Sequence, residues 1–298
     1  MEWLTDKRAG SQTGLLFSIG LVVLDLIAFV GMTTQPIGPL TFFLLVLILG
    51  SAPLIAAIAY QLYGLAQSGY DVDRNSLTIQ WGAIRQIIPL ESVQCIMLGT
   101  EVEGPLRGFR GWRWPGLMQG HCEVPEAGLT LFYTTASWPQ PLIIVTPALS
   151  YAISPVDTVG FIESVKARYE LGPTQAVAQI TQRPAFYDWP LWRDRVAWSL
   201  IGAVVILCLL LFGLVCFRYP DLPATLSMHY DVFGRPDRIG PLSQAFLLPL
   251  IGVAALTTNV VLGGWAYRRE QMAAYLLWGG AAIVQLLLWV SAINILKL

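Results

Sequence analysis

The stretch YDVDRNSLTIQWG, Tyr70 to Gly82, decides how this chain divides. Leu77, Ile79 and Trp81 alternate with polar residues, and Asp73–Ser76 supplies turn chemistry, so the stretch reads as two strands around a turn. Ahead of it lie two long apolar runs, about Gly14–Thr33 and Pro39–Tyr63. Three more follow far downstream, about Val196–Cys216, Ala245–Tyr267 and Met272–Ile295. A β-rich polar region therefore stands between two sets of apolar segments.

Each run is close to the roughly 20 residues that cross a bilayer core as helix. The composition agrees. Hydrophobic residues make up 55% of the 298-residue chain and charged residues 12%, half of the roughly 25% usual in soluble domains. Mean hydropathy is +0.59. The expected fold class is an α-helical multi-pass membrane protein of five helices with an inserted α+β domain. The boundaries read as 1–66 for two N-terminal helices, 67–172 for the β-rich domain, 173–195 for a linker and interfacial anchor, and 196–298 for three helices. A structured loop is expected at 217–243. The first run exceeds the core of a signal peptide and leads straight into the second, so it reads as a retained helix.

Lys and Arg near the helix ends set orientation. With the N-terminus inside, Lys7, Arg8, Arg193, Arg195, Arg268 and Arg269 fall on the cytoplasmic side. The β-rich domain is then cytoplasmic, and the C-terminus and the 217–243 loop are outside. The latter also holds Arg218, Arg235 and Arg238. The expected location is a bacterial cytoplasmic membrane.

Outward from Tyr70–Gly82 the pattern continues. AIRQIIPLESVQCIML, GLTLFYTT, PLIIVTP and YAIS are short β-rich segments broken by Pro or Gly. A helix follows, with Ser154 as expected N-cap and an apolar stripe of Val159, Ile162 and Val165. YDVDRNSLTIQWGAIRQIIPLESV, RWPGLMQG, LTLFYTT and YAISPVDTVGFIESV together resemble the bacterial PH-like domains of multi-pass membrane proteins. The resemblance covers roughly Gly69 to Tyr169 and implies a barrel of antiparallel strands closed by one helix.

Within this region LRGFRGWRWPG, Leu106 to Gly116, interleaves Arg107, Arg110 and Arg113 with Phe109, Trp112 and Trp114. Three readings stay open: a Gly-rich inter-strand loop packed on the barrel, a contact with the bilayer headgroup layer, and a surface for a protein partner. At a net charge of −1 nucleic acid is not an expected partner. The expected partners are the lipid bilayer and a protein partner or second copy. In the linker, Trp189, Trp192 and Trp198 with Arg193 and Arg195 read as an interfacial anchor.

The segment LPATLSMHYDVFGRPDRIGP, Leu222 to Pro241, reads as a compact structured loop, since its prolines forbid a continuous helix or central strand. It resembles a domain shared by the immunity membrane proteins of the sporulation-delaying toxin family and uncharacterised relatives. The matching positions are Leu222-Pro223, His229-Tyr230-Asp231, Gly234 and Pro236-Asp237; Asp231 stands where an Asn is common. His229, Asp231 and Asp237 either hydrogen-bond the loop's own backbone or form a ligand site, for a metal or a peptide.

Asp25 is the carboxylate deep in an apolar run, with Gln285 at comparable depth and Asn259 nearer a helix end. Such groups act as hydrogen-bonding glue or serve a proton- or ligand-linked role. His121-Cys122 reads as a loop pair. No P-loop, GxSxG, HExxH or dinucleotide fingerprint occurs, and no CxxC spacing links the four cysteines. The expectation is a non-catalytic protein without cofactor or metal, with a sensing, immunity or regulatory role. An accessory or scaffold subunit of a larger complex and a small transporter component are the alternatives.

Overall fold

The computed structural model describes residues 1–230 and 236–296. In chain order the strands and long helices are β1 (Glu2–Trp3), α1 (Arg8–Thr34), α2 (Pro39–Ala66), β2 (Gly69–Val72), β3 (Ser76–Trp81), β4 (Ile84–Pro89), β5 (Cys95–Leu98) and β6 (Arg107–Trp114). Then follow β7 (Leu117–Val124), β8 (Gly128–Thr134), β9 (Leu142–Val145), β10 (Ser150–Ile153), α3 (Thr158–Leu171) and β11 (Ile180–Gln182). The chain continues with α4 (Arg195–Arg218), β12 (Thr225–Tyr230), β13 (Pro236–Pro241), α5 (Leu247–Tyr267) and α6 (Gln271–Leu296). Five helices, α1, α2, α4, α5 and α6, are long and apolar enough to cross a membrane. The shortest, α5, has 21 residues, about 32 Å at 1.5 Å per residue, against a hydrocarbon core of about 30 Å. The chain forms two compact units, one of Met1–Val23 with Ser51–Tyr187 and one of Leu24–Gly50 with Asp188–Leu298.

The first unit holds two sheets, β1-β2-β3-β4-β11 and β5-β9-β10-β8-β7-β6. Its local logic starts at the β2–β3 turn. The Asp73 carboxylate accepts from the backbone N–H groups of Asn75 and Ser76, both at 2.6 Å, which fixes the turn without help from the rest of the sheet. Leu77, Ile79 and Trp81 then face the core with Tyr70, Val72, Ile88, Tyr133 and Tyr151. The Tyr70 hydroxyl donates to the Tyr133 carbonyl at 2.7 Å and accepts from the Ser154 N–H at 3.0 Å. Burial pushes this phenol up to about 12.

Four details differ from the sequence reading. The sheet reaches beyond 67–172, because β1 pairs with β2 and β11 pairs with β4. The strands are not all antiparallel: β8 and β10 run parallel. The chain after β8 passes on to β9, which pairs with β5, and the tight β9–β10 turn, closed by Thr146 and Leu149, returns β10 into the space beside β8. The cap of α3 is Asp157, whose carboxylate accepts from the Gly160 N–H at 2.9 Å. Ser154 is held at the end of β10, where its hydroxyl accepts from the Thr135 N–H. The buried face of α3 is Phe161 and Val165, whereas Val159 is exposed. Trp3 stacks edge-on against Phe161 at 5.6 Å, so the short N-terminal strand selects which face turns inward.

In the second unit α4, α5 and α6 pack as a three-helix bundle. Trp278 lies against Gly263, where even a Cβ would come within 2.2 Å of the indole nitrogen. At the other end Leu211, Val215, Leu248, Leu288, Ala292 and Leu296 cluster with Leu226 of β12. The segment expected as a compact loop is thus a two-stranded antiparallel hairpin, Thr225 opposite Pro241 and Leu226 opposite Gly240, and Leu226 caps the bundle. Its prolines at Pro236 and Pro241 occupy the ends of one strand, where no further strand needs an N–H.

Candidate functional site

The interleaved segment 107–114 is not a loop but β6, an edge strand hydrogen-bonded on one side to β7. A bulge decides what its outer face presents. Arg107 is opposite Glu123 and Arg110 opposite His121, so three steps on β6 match two on β7. In a regular strand residues three apart point to opposite faces; the extra residue brings Arg107 and Arg110 onto the same one. Gly108 at φ +68° lies within this bulge. Trp112 and Trp114, opposite Gln119 and Leu117, continue that face, while Arg113, opposite Met118, lies on the other. The simple alternation of three arginines with three aromatics therefore resolves into Arg107, Arg110, Trp112 and Trp114 together. Phe109 turns inward and meets Phe132 edge-on at 5.8 Å.

Arg107, Arg110, Arg113 and Trp112 are exposed, and among the described residues none of the three guanidinium groups takes part in an ion pair. Glu123 stands across from Arg107 without forming one. Trp114 is half-buried: its indole N–H donates to the Gly10 carbonyl at 3.2 Å, in the first turn of α1. The β6–β7 turn closes on the same place. A Cβ at Gly116 would come within 2.1 Å of the Gly10 nitrogen, so two glycine backbones touch here. The cationic edge is thereby pinned to the start of an apolar helix, a few residues before its first run of leucines. Nothing in the spacing of Gly10 and Gly116 announces this contact.

His121 and Cys122 lie in β7, not in a loop. Their side chains point to opposite faces, His121 exposed and Cys122 buried with its thiol pushed up to about 11 by burial, so the two cannot share one ion. Among the described residues no group of three His, Cys, Asp or Glu side chains gathers to hold a metal. Glu101 has a local role, accepting from the Leu98 N–H at 2.9 Å.

The second unit carries a polar knot that sequence reading missed. Asp194 caps α4, accepting from the Val196 and Ala197 N–H groups. Its other oxygen accepts from the hydroxyls of Tyr267 and Tyr275 and from the Gln271 amide. One carboxylate thus ties the ends of three helices. Around it Trp192 and Trp198 stack at 5.9 Å, and Arg268 and Arg269 lie over Trp189 and Trp265. The sequence signal was an Asp directly before an apolar run, the N-cap position. The Tyr275 hydroxyl above all, with the Ala197 N–H, Tyr267 and Gln271, holds the Asp194 carboxyl well below the usual carboxylate range against the opposing effect of burial. A depressed folded-state value gives stability that is complete above the unfolded value, about 4, and is lost as pH falls through the folded one. Asp194→Ala should therefore lower the thermal midpoint at neutral pH, and the gap from wild type should close only below the ordinary carboxylate range. A gap that closes near pH 6 would contradict this assignment.

Gln285 is fully buried in α6, and its amide donates to the Gly252 carbonyl of α5 at 2.8 Å. This bond ties α6 to α5. Asp25 is half-buried in α1. Asn259 donates to the Ala255 carbonyl one turn back in its own helix. Of the hairpin motif, the backbones of His229 and Tyr230 lie in β12, opposite Arg238 and Pro236, and Asp237 lies in β13. Asp231 and Gly234 lie outside the described residues.

Two stretches match known families. Residues 68–169 match the family model of a bacterial PH domain, and residues 206–253 match that of a domain of unknown function, DUF1648. The first covers β2 to α3, the second most of α4, the hairpin and the start of α5. The chain thus joins a PH-type domain to a DUF1648-type membrane segment. No curated protein and no solved structure matches the chain.

Proposed function

We propose that this chain is a non-catalytic regulatory protein of a bacterial cytoplasmic membrane, with a sensing or immunity role, whose membrane helices couple an external hairpin to an inserted cytoplasmic PH-like domain. One observation carries the coupling: α1 and α2 run into the first sheet without a flexible linker. Only Gln67 and Ser68 separate α2 from β2, and only Leu4–Lys7 separate β1 from α1. These short joints are bonded to each other, Thr5 to Ser68 at 2.8 Å and the Lys7 ammonium to the Ala66 carbonyl at 2.8 Å. Leu65 of α2 belongs to the same core as Trp81 and Tyr133. A shift of either helix is therefore passed to the sheet. The basic residues Lys7, Arg8, Arg193, Arg195, Arg268 and Arg269 favour an inside N-terminus.

Extraction in mild detergent and mass spectrometry of what co-purifies tests the regulatory role. A partner that is lost when Leu222–Pro241 is replaced by a Gly/Ser loop is the expected result. A large stoichiometric complex indifferent to that replacement would instead make the chain a scaffold subunit.

A further inference from the structure

We infer that the outer face of β6 docks on the anionic headgroup layer of the bilayer that α1 crosses, with Arg107 and Arg110 pairing with lipid phosphates and Trp112 lying at the boundary with the acyl chains. The inference rests on the reading of α1 as a membrane span.

Three independent features converge on this surface. The charge is unneutralised: Arg107 and Arg110 are exposed and take part in no ion pair, so their guanidinium donors are open to a bidentate anion. The bulge at Arg107–Arg110 is what gathers the two cations with Trp112 on one face, an arrangement a regular strand would not give. Position is fixed by chemistry rather than by proximity alone, since Trp114 bonds the Gly10 carbonyl and Gly116 abuts Gly10. Gly10 lies in the first turn of α1, and Gly14 of the same helix faces the Trp114 ring. An indole at the start of an apolar helix sits where amphipathic rings favour the membrane boundary. Phosphate is the anion on offer at that depth. A basic residue near an anionic leaflet contributes roughly fivefold in binding, so Arg107 and Arg110 together give about twenty-fivefold.

Hydrogen exchange of the full chain in lipid nanodiscs tests this. Amides of 107–114 should exchange several-fold more slowly in nanodiscs of phosphatidylcholine with phosphatidylglycerol than in phosphatidylcholine alone. The protection should fade at about 1 M salt, where the screening length shrinks to about 3 Å. The double variant R107Q/R110Q should abolish it. Arg113→Gln, on the opposite face of the same strand, should keep it. Equal exchange in the two lipids would overturn the proposal, as would loss of protection in Arg113→Gln equal to that in the double variant. Protection by inorganic phosphate in neutral nanodiscs would overturn the lipid assignment in favour of a free anion. Amides of 15–31 report separately on the span. If they exchange freely in both nanodiscs, the membrane reading of α1 fails; if they stay protected while 107–114 is indifferent to lipid, only the lipid contact fails.

Discussion

Gly116→Ala is expected to destabilise the first unit by about 3–5 kcal/mol, the sum of a strained left-handed residue and an overpacked contact. Gly116 has φ +82°, and a Cβ there would lie 2.1 Å from the Gly10 nitrogen and 2.6 Å from the Ala9 carbonyl carbon. Those neighbours are backbone, so no side chain can swing aside; the β6–β7 turn must part from α1. The Trp114 bond to Gly10 would go with it, and the cationic edge would lose its anchor. Gly128→Ala supplies the control. Gly128 has φ +70° but nothing within 4 Å of an added Cβ, so it should show the conformational cost alone, about 1–3 kcal/mol. Denaturant unfolding of the detergent-solubilised protein reads both. Equal losses in the two variants would mean that the close approach of α1 to the turn is not present.

The second large effect is expected at Trp278. This indole is 1% exposed and fills the hollow left by Gly263. Its ring lies 6.0 Å from that of Tyr267, nearly parallel to it. Removing a buried Trp from a soluble core costs about 3–5 kcal/mol. In a bundle surrounded by lipid the transfer part shrinks while the packing part stays, so Trp278→Ala should fall at the lower end, about 3 kcal/mol. Gly263→Ala should also destabilise, because the added methyl meets the indole. A smaller ring relieves that clash, so Gly263→Ala combined with Trp278→Phe should cost less than the two single changes added together. Strict additivity would show that the two residues do not touch.

What could be read from the sequence follows a physical divide. Apolar run length fixes a helix by itself, and all five runs became helices, though α1 begins at Arg8, ahead of the expected Gly14. Leu77, Ile79 and Trp81 announced β3 because one face of a strand repeats every second residue. The Asp73 turn was legible for a similar reason, since its hydrogen bonds close within three residues. Apart from the α3 cap, where Asp157 holds the place expected of Ser154, the failures are non-local. The strand β1 is two residues long and means nothing until β2 lies beside it, yet it brings Trp3 to Phe161 and so turns α3. The parallel pairing of β8 with β10 depends on where β9 settles. For the candidate site, the sequence singled out Arg107, Phe109, Arg110, Trp112, Arg113 and Trp114, but the bulge that sorts them into faces is visible only against β7. Asp194, an Asp placed directly before an apolar run, was passed over, and its partners Tyr267, Gln271 and Tyr275 come from far along the chain.

The central claim of the proposed function is that the β-rich unit and the hairpin of β12 and β13 lie on opposite sides of one membrane. Thiol labelling on intact cells tests it most directly. Among the described residues Cys95 is the exposed native cysteine and Cys122, Cys208 and Cys216 are buried, so a Cys95→Ser background is silent to an impermeant reagent. In that background Ser227→Cys, at the hairpin, should label on intact cells. Ser137→Cys, exposed between β8 and β9, should label only after the membrane is permeabilised. Labelling of both positions from the same side would contradict the account.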